Sequence, residues 1–433
     1  MDAAMEPLLF LVHRIPFPPN KGDKVRSFHL LEFLASRYRV HLGTFVDTPD
    51  DVVHVPRLRE YCASSKVIEI LPARARIRSL AGLWTGEPLT VRYYRNTAMA
   101  EWVSSVVREQ GIGKAVLFSS AMAPYVSGHP NLRVVADFVD VDSAKWTQYA
   151  RSRPWPLSAI YKREGERLLA FERAIARQAE ASVFVTPAEA QLFRTLAPES
   201  AARVHHAQNG VDTRYFSPEH DLPNPFPPGE DAIVFTGAMD YWPNVDAVSW
   251  FARECLPDIV TQHPRARFYI VGIQPTPAVR ALAQDPQVVV TGRVPDVRPY
   301  LKHARVVVAP LRVARGIQNK VLEAMAMGRP VVVSATAAGA LAGQSGTDFD
   351  VADEAPEFVR KTIALMNGER GAMLGTAARQ RVLADYDWTT NLAPFATLLD
   401  ERAVETGAQY DKRDGAGAPV RRQQPAGEVH DAR

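Results

Sequence analysis

One segment, RGIQNKVLEAMAMGRPVVV at residues 315–333, shows how the second half of this chain is built. An apolar run of strand length, Val306–Ala309, precedes it, and another, Val331–Ser334, lies at its end. Between the two runs, the pattern predicts a helix that begins near Asn319, a good N-cap residue, and ends at Gly328. A strand, a helix and a second strand in this order are typical of a parallel sheet covered by helices.

The same alternation extends from this segment through most of the chain. A proline-rich stretch, Ser217–Asp231, separates two series of strands, because prolines hold the chain extended and cannot donate ladder hydrogen bonds. A long surface loop inside one domain is the alternative interpretation of this stretch. The other predicted strands are residues 8–12, 40–44, 67–70, 115–118, 133–137 and 182–186 before it, and 232–235, 268–271 and 288–290 after it.

Length and composition favour two domains and exclude several classes of protein. The chain has 433 residues, whereas single cores stop growing near about 250–300 residues. Its 51 basic and 48 acidic side chains leave a formal charge of +3, which gives no general argument for a nucleic-acid partner. Cys62 and Cys255 lie too far apart for a zinc or redox motif, so we expect a reducing compartment. Apolar runs all fall short of the roughly 18 residues that a membrane span needs.

Ligands of open parallel sheets bind beyond the carboxyl ends of the strands, where helix N-termini attract anions. Lys320 and Glu323 stand at such a junction, three positions apart, and therefore share one face of the predicted helix. A cation beside helix N–H groups suits a diphosphate, and a carboxylate one turn later can accept two hydrogen bonds from a ribose diol. The alternative is an ordinary ion pair on the surface of a helix.

A second junction follows the first predicted strand, at PPNKGDKVR, residues 18–26. Gly22 permits a close approach of the backbone to a ligand, and Lys21, Lys24 and Arg26 add positive charge. The segment is neither a Walker loop nor a dinucleotide fingerprint. It predicts a contact with a phosphate or a sugar; the alternative is a proline-stiffened turn with solvated lysines.

A third junction is the acidic end of the strand that leads to Asp140 and Asp142. The Asp-x-Asp pattern is similar to that of metal-dependent sugar transferases, and carboxylates suit Mg²⁺ or Mn²⁺. Cationic groups for a diphosphate are already present in this chain, so we favour a carboxylate, Asp140, that orients an acceptor hydroxyl or a donor sugar without a metal. A plain helix cap is the third interpretation.

Together these segments resemble the retaining nucleotide-sugar glycosyltransferases of family 4, which have the GT-B fold of two Rossmann-like α/β domains that face a deep cleft. The resemblance implies that Glu323 binds the donor ribose, that Lys320 binds the diphosphate, and that Gly22 and Gly237 are close backbone approaches to it. The matching segments are residues 18–23, 182–189, 206–212 with Phe216, 234–237 and, most specifically, 320–332.

Two departures from the family pattern bear on the site. Arg315 stands where the family has the first of two paired glutamates, and the usual Arg and Lys after Gly237 are absent. A guanidinium favours bidentate phosphate contact, so we expect Arg315 to replace the missing cations and to converge with Lys21, Lys24 and Lys320 on one diphosphate. The predicted catalytic residues are Asp140, Lys320 and Arg315. The predicted donor-binding residues are Gly22, Gly237, Gly316, Gln318, Asn319, Lys320 and Glu323.

A finer resemblance is to the sugar transferases of exosortase/PEP-CTERM exopolysaccharide loci in Gram-negative bacteria, through residues 140–146, 239–246 and 314–323. The resemblance implies a retaining, metal-independent transfer from a nucleotide-diphosphate sugar to a glycan or lipid-linked glycan, with no cofactor. Two alternatives remain: a nucleotide-sugar 2-epimerase, which uses a similar fold, and a non-catalytic nucleotide-sugar-binding protein, which the arginine at position 315 suggests.

The predicted organisation places the acceptor and the donor in different domains. Tyr161–Gln178 is a basic amphipathic helix that either covers the first sheet or rests on an anionic membrane, and Arg74, Arg76 and Arg78 form a second basic cluster. We expect a cytoplasmic protein, at most peripheral at the inner membrane. The predicted parts are an acceptor-binding domain (1–215), a linker (216–231), a donor-binding domain (232–384), a helix returning toward the first domain (385–400) and a disordered tail (401–433).

Overall fold

The computed structural model describes residues 5–19, 22–151, 153–314 and 316–400. The predictions made for Lys21, for Arg315 and for the tail at 401–433 lie outside the described residues. Both sheets of the protein belong to one compact unit, Met1–Leu399.

The first sheet has seven strands. They are β1 (Pro7–Val12), β2 (Arg39–Val46), β3 (Ser64–Glu69), β4 (Lys114–Phe118), β5 (Arg133–Val139), β6 (Ala181–Phe184) and β7 (Val204–His206). All neighbours are parallel, in the order β3-β2-β1-β4-β5-β6-β7. The apolar residues Leu8–Val12 are fully buried, because helices cover both faces of the sheet. The short strand β7 was not predicted, because its two histidines interrupt the apolar run.

The second sheet has six strands. They are β8 (Asp231–Thr236), β9 (Ala266–Val271), β10 (Val288–Gly292), β11 (Val306–Ala309), β12 (Val331–Val333) and β13 (Asp350–Val351). These strands are also parallel, in the order β10-β9-β8-β11-β12-β13. The predicted fold, two doubly wound parallel sheets of the Rossmann type, is confirmed. Only β13, a strand of two residues, has no counterpart in the prediction for this half.

Eighteen α-helices are present in the described part of the chain. Those of the first half are α1 (Gly22–Ala35), α2 (Pro49–Val52), α3 (Pro72–Ser79), α4 (Gly82–Thr85), α5 (Leu89–Tyr93), α6 (Thr97–Gln110), α7 (Asp142–Arg151), α8 (Leu157–Gln178) and α9 (Pro187–Leu196). Those of the second half are α10 (Trp242–Trp250), α11 (Leu256–Gln262), α12 (Pro277–Ala281), α13 (Arg298–His303), α14 (Asn319–Ala326), α15 (Ala335–Ala338), α16 (Ala355–Met366), α17 (Gly368–Asp385) and α18 (Trp388–Asp400).

The strand order reverses once in each sheet, between β1 and β4 and between β8 and β11. At such a switch point the connections leave in opposite directions, and a crevice opens beyond the carboxyl ends of the two strands. Helix α1 follows β1 and helix α14 follows β11. The segments that were singled out from the sequence therefore lie where a doubly wound sheet binds ligands.

Helix α18 packs against the first sheet. The buried side chains of α18, Trp388, Leu392, Phe395 and Leu399, belong to the same apolar cluster as Leu8 and Phe10 of β1. The segment after β7 leads from the first sheet to the second, whereas the segment before α18 leads back. The two segments are joined by a hydrogen bond from the Val211 N–H to the Tyr386 carbonyl at 2.9 Å. A Cβ at Gly210 would stand 2.7 Å from the same carbonyl, so only glycine fits between the two crossings.

Helix α8 contains the basic amphipathic stretch that was predicted from the sequence. Its residues Leu168, Ile175 and Ala176 are buried, and Ile175 and Ala176 pack in the core of the first domain. The apolar side of α8 thus covers the sheet, as the first of the two interpretations has it. Among the described helices, none combines the length and apolar character that crossing a membrane requires.

Candidate functional site

Helix α14 presents Lys320 and Glu323 to the crevice of the second sheet. Its apolar side, with Val321, Leu322 and Met325 buried, fixes the helix against the sheet, so the two charged residues lie on the opposite, half-buried side. Gln318 takes the N-cap position and makes no side-chain cap bond. The prediction that Asn319 caps the helix is therefore wrong by one residue. The Val321 N–H donates to the Gln318 carbonyl at 2.9 Å. The N–H groups of Asn319 and Lys320 precede this bond at the helix N-terminus, where they attract anions.

Lys320 reaches across the switch point to the loop that follows β8. Its Nζ donates to Asn244 Oδ1 at 2.5 Å and lies 4.4 Å from the centre of the Phe235 ring. A Cβ on Gly237 would stand 3.1 Å from the same Nζ. The structure thus brings together Lys320 and Gly237. No ion pair of the described residues joins Lys320 to Glu323, so the interpretation as an ordinary surface pair is wrong.

Burial makes the charged forms of Lys320 and Glu323 energetically unfavourable in this position. Burial lowers the pKa of Lys320 to about 7, although the Glu323 carboxylate acts in the opposite direction. Burial likewise raises the pKa of Glu323 to about 7, against the effect of Lys320. An anionic group that binds at Nζ would stabilise the ammonium form of Lys320. The geometry therefore suits a ligand that carries its own negative charge, such as a diphosphate.

Asn244 is a residue of the site that sequence reasoning missed. Its side chain is buried; Nδ2 donates to the Ala238 carbonyl at 2.9 Å while Oδ1 accepts from Lys320. The amide thereby ties the loop after β8 to helix α14. The sequence points to Asn244 only through its place early in a helix that follows a strand, two residues after Trp242. Many residues at the starts of helices share such a place.

Asp140 lies in a strained turn at the end of β5. Val139 adopts a φ of 68°, which is rare for a β-branched residue, and the Asp140 N–H donates to the Phe138 carbonyl at 2.8 Å. Two buried glutamates hold the turn from behind. Glu189 accepts from the Val141 N–H at 2.8 Å, and Glu172 accepts from the Ser143 Oγ at 2.6 Å. Such strain persists only where the surroundings over-determine it, which is common at functional sites.

Lys145 occupies the space between the two carboxylates of the Asp-x-Asp pattern. Its Nζ donates to Asp140 Oδ2 at 2.7 Å and to Asp142 Oδ1 at 3.1 Å. Burial opposes the charge of Lys145, but the carboxylates of Asp142 and Asp140 outweigh this effect and raise the pKa of the ammonium. An internal cation therefore stands where a metal ion would bind. The position of the Lys145 ammonium between the two carboxylates was not predicted from the sequence, although Lys145 follows Asp142 by less than one helical turn.

The two crevices meet at Asp140 and Gly316. Asp140 Oδ1 is buried and accepts no hydrogen bond from any residue that the structure describes, and a Cβ on Gly316 would stand 3.2 Å from it. Gly316 has a φ of 62°, which favours glycine. A side-chain hydrogen bond between Tyr241 and Tyr149 makes a further contact between the two halves. The predicted residues Asp140 and Gly316 are thus neighbours, and Gln318 Nε2 donates to the Gly316 carbonyl at 3.3 Å.

Asn209 links the helices that begin at Gly22 and at Asn319. Arg26 of α1 donates through Nη1 to Asn209 Oδ1 at 3.0 Å, and Asn209 Nδ2 donates to Asn319 Oδ1 at 3.4 Å. Arg26 also forms a fully buried ion pair with Asp137, 2.8 Å from Nε to Oδ2. Gly22 opens the first turn of α1, one turn before Arg26.

Two of the predicted cations of the first loop do not face the crevice. Lys24 is almost completely buried, and its Nζ lies 2.6 Å from Asp51 Oδ2. Arg26 is neutralised by Asp137 inside the domain. The prediction that Lys24 converges on the diphosphate, and that Arg26 adds positive charge to the loop, is therefore wrong. The reason is that each arginine or lysine has an aspartate partner that is distant in the sequence.

Comparison with known protein families identifies the second half of the chain. Residues 230–368 match the family described as "Glycosyl transferases group 1". This segment is therefore similar to a glycosyltransferase group 1 domain. It contains Gly237, Asn244, Lys320 and Glu323, so the crevice of the second sheet lies within the matched residues, whereas Asp140 and Lys145 lie outside them. The predicted enzyme class, a glycosyltransferase, is confirmed. No curated protein matches the chain.

Solved structures of glycosyltransferase folds resemble the protein over almost its whole described length. Sucrose-phosphate synthase from Thermosynechococcus elongatus has a TM-score of 0.66 at 17% identity, over 91% of this chain and 98% of its own. HepE from Anabaena, solved with UDP-glucose, has a TM-score of 0.61 at 14% identity, over 91% and 99%. A mutant of TarM from S. aureus, solved with fondaparinux, alpha-GlcNAc-glycerol and UDP, has a TM-score of 0.62 at 11% identity, over 92% and 100%. The shared feature is the two-domain GT-B fold.

Proposed function

We propose that this glycosyltransferase moves a sugar from a nucleotide-diphosphate sugar to a glycan or lipid-linked glycan acceptor, with retention and without a metal. The observation that carries the proposal is the position of Lys320 beside Gly237 in one crevice, with Asp140 facing Gly316 from the other. The UDP-glucose bound to HepE and the UDP bound to TarM support a nucleotide-sugar donor on this fold.

The donor would bind mainly to the second domain. Its diphosphate would accept hydrogen bonds from Lys320 Nζ and from the N–H groups at the start of α14, where the helix dipole also favours negative charge. The Glu323 carboxylate, one turn further along the helix, would accept two hydrogen bonds from the ribose hydroxyls. Gly237 leaves space at Lys320 Nζ that any side chain would fill.

The transfer breaks the bond between the anomeric carbon and the diphosphate oxygen, and negative charge develops on that oxygen. The Lys320 ammonium and the N-terminus of α14 would stabilise this charge more in the transition state than in the ground state. Arg315, four residues before the helix, is proposed as a second cation for the same charge. Closure of the crevice around the donor would exclude water and so protect the sugar from hydrolysis.

Asp140 would orient the acceptor hydroxyl or the transferred sugar. Its Oδ1 accepts no hydrogen bond within the described part of the chain, while Oδ2 is held by Lys145. One oxygen is therefore fixed and the other is free to accept a bond from a hydroxyl group. The ammonium of Lys145 between Asp140 and Asp142 supports a reaction without a metal at these carboxylates.

The biological role that we propose is exopolysaccharide biosynthesis at the cytoplasmic face of a bacterial inner membrane. Its support is the resemblance of residues 140–146, 239–246 and 314–323 to the transferases of exosortase/PEP-CTERM loci. Retention of the anomeric configuration rests on the same kind of argument, the resemblance to family 4. Both finer proposals are tested by identifying the product.

The decisive experiment incubates the protein with a panel of nucleotide sugars and lipid-linked glycans, and follows transfer by mass spectrometry and the linkage by NMR. The Lys320→Ala variant should lose a factor on the order of 10²–10³ in turnover, as for the loss of one electrostatic stabiliser. A matched control is Lys361→Ala, which removes a lysine of α16 that pairs with Glu357 at 2.8 Å.

Three outcomes would contradict the proposal. Unchanged transfer by the Lys320→Ala variant would exclude the assigned donor site. Conversion of the nucleotide sugar at C2 without an acceptor would indicate a 2-epimerase. Tight binding of the donor with no transfer to any acceptor of the panel would indicate a non-catalytic binding protein.

A further inference from the structure

Large apolar side chains are exposed on three segments of the first domain, α3, α4 and the start of α8. The most exposed are Trp84 and Trp155, at 86% and 81% of their full surface. Contiguous exposed apolar surface of this kind marks an interaction site in a folded protein. The docking patch, as we name it, consists of Ile77, Leu80, Leu83, Trp84, Trp155 and Leu157. We propose that the docking patch binds an anionic lipid surface.

Hydrogen bonds show that the two sequence segments of the docking patch are neighbours. Arg163 of α8 donates to the Gly82 carbonyl of α4 at 2.6 Å. Glu164, the next residue, accepts from the Leu89 N–H at 2.8 Å. Leu157 lies two turns before Glu164 on the same face of α8. Helix α4, with Trp84, therefore lies beside α8, and the start of α8 extends the surface with Leu157 and Trp155.

The charges around the docking patch select an anionic partner. Helix α3 exposes Arg74, Arg76 and Arg78, and no ion pair of the described residues joins any of them to an acid. Arg151, Arg153 and Lys162 are exposed near Trp155 and Leu157. Because the surface is basic, a second copy of the protein would be repelled. Basic side chains next to tryptophan and leucine are instead the combination that binds anionic lipid headgroups and inserts among them.

The docking patch lies on the side of the first sheet where the carboxyl ends of the strands form the crevice. Helix α3 follows the carboxyl end of β3. Tyr94, at the end of α5, packs edge-on against His13 just after β1, with the ring centres 5.5 Å apart. Helix α7 begins at Asp142, next to Asp140, and ends at Arg151, shortly before Trp155. A lipid-anchored acceptor held at the patch would thus be near Asp140; this step rests on the proposed function.

The test uses the full chain and sedimentation with vesicles. Two compositions are compared, phosphatidylglycerol mixed with phosphatidylcholine and phosphatidylcholine alone. We expect binding to the anionic vesicles that weakens as salt is added, because the arginines act through screened charge. Substituting Arg74, Arg76 and Arg78 by Ala should weaken it by a factor on the order of 100. The Trp84→Ala/Trp155→Ala variant should bind the anionic vesicles at least about tenfold more weakly. Quenching of the tryptophan fluorescence by brominated lipids should fall with the binding.

A matched control keeps the result specific. Met373 and Leu383 are exposed apolar residues of α17, so the Met373→Ala/Leu383→Ala variant removes comparable side chains outside the docking patch. It should bind the vesicles like the unmodified protein. All three variants change exposed residues, and equal thermal melting curves establish that each one folds.

Failure of the unmodified protein to bind anionic vesicles would overturn the proposal, and so would an equal loss in the α17 control. A dimer in sedimentation velocity that the tryptophan variant dissolves would assign the docking patch to self-association instead. Binding of UDP, measured by calorimetry on the same samples, separates this proposal from the proposed function. Vesicle binding without UDP binding would refute the donor site alone, and UDP binding without vesicle binding would refute the docking patch alone.

Discussion

Gly316 lies directly against Asp140, since a Cβ on Gly316 would stand 3.2 Å from Asp140 Oδ1. Gly316 precedes the helix at the switch point of the second sheet, whereas Asp140 ends a strand of the first sheet. Neither residue is easily replaced by another amino acid, and the reason differs between the two. Gly316 has a positive φ, and Asp140 follows a valine that also has a positive φ. Two strained turns therefore meet at one carboxylate oxygen to which no described residue donates a hydrogen bond.

The Gly316→Ala variant should lose turnover by a factor of about 10–100, because its methyl group would displace Asp140 by a fraction of an ångström to an ångström. The positive φ should also cost about 1 kcal/mol of stability. The matched control is Gly111→Ala at the end of α6, where φ is 63° and no atom lies within 4 Å of the added Cβ. Steady-state kinetics and thermal melting of both variants separate the two effects. An equal loss of turnover in both would show that strain alone, not contact with Asp140, is responsible.

The affinity for UDP should fall as the pH rises above about 7. Burial lowers the pKa of Lys320 to about 7, so at higher pH the free protein must take up a proton when the diphosphate binds. The resulting loss is up to about tenfold per pH unit. The rise in the pKa of Glu323 to about 7 opposes this trend in part, because the ribose contact that we propose for Glu323 uses the ionised carboxylate.

Calorimetry in buffers of different ionisation enthalpy measures this proton uptake directly. The Lys320→Arg variant keeps its charge at all these pH values and should show a weaker pH dependence. A constant affinity from about pH 6 to about pH 9 would mean that Lys320 stays protonated in the free protein and that burial has less effect than described.

Removal of the Lys145 ammonium should expose the two carboxylates of Asp140 and Asp142. We expect the Lys145→Ala variant to lose about tenfold or more in turnover, because Asp140 Oδ2 loses its fixed partner. The variant should also gain affinity for Mn²⁺, since two adjacent carboxylates suit a hard cation. Electron paramagnetic resonance of Mn²⁺ measures the second effect.

The unmodified protein, in contrast, should transfer sugar equally well with and without EDTA. The Lys145→Arg variant keeps a cation between the carboxylates and should remain insensitive to the chelator. Inhibition of the unmodified protein by EDTA, reversed by Mg²⁺ or Mn²⁺, would contradict the metal-independent reaction and would favour the Asp-x-Asp interpretation.

The sequence was sufficient for the fold because each core strand is a buried apolar run of its own. It also led to the position of Asp140 beside Gly316, because a polar residue directly after such a run lies at the carboxyl end of a parallel strand. Only a short strand such as β7, whose three residues include two histidines, carries too little apolar signal for prediction.

The partners of charged residues were not predictable in the same way. Arg26 is 111 positions from Asp137, with which it forms a buried pair, and Lys320 is 76 positions from Asn244. A positive residue in a loop looks the same in the sequence whether it faces a ligand or a buried aspartate. Predictions based on the local charge of a loop therefore failed for Lys24 and Arg26, since the partner that decides their environment is brought in by the fold.

Glu172 should make the protein less stable as the pH rises. Burial raises the pKa of this carboxyl to about 8, even though the bonds from Ser143 favour its charged form. The folded protein therefore binds a proton at Glu172 that the unfolded chain, with a pKa of about 4.3, releases. The stability that this proton contributes is fully present below about pH 4 and is lost as the pH rises through about 8, with a slope of up to about 1.4 kcal/mol per pH unit.

Denaturant unfolding between about pH 5 and about pH 9 tests this expectation. The Glu172→Gln variant keeps an oxygen that accepts from Ser143 Oγ, but it cannot ionise, so its stability should depend less on pH across this window. At the high end of the window it should be more stable than the unmodified protein, because no charge has to be buried behind the turn that holds Asp140. If both proteins instead lose stability in parallel, Glu172 is ionised at neutral pH and the pH dependence arises elsewhere.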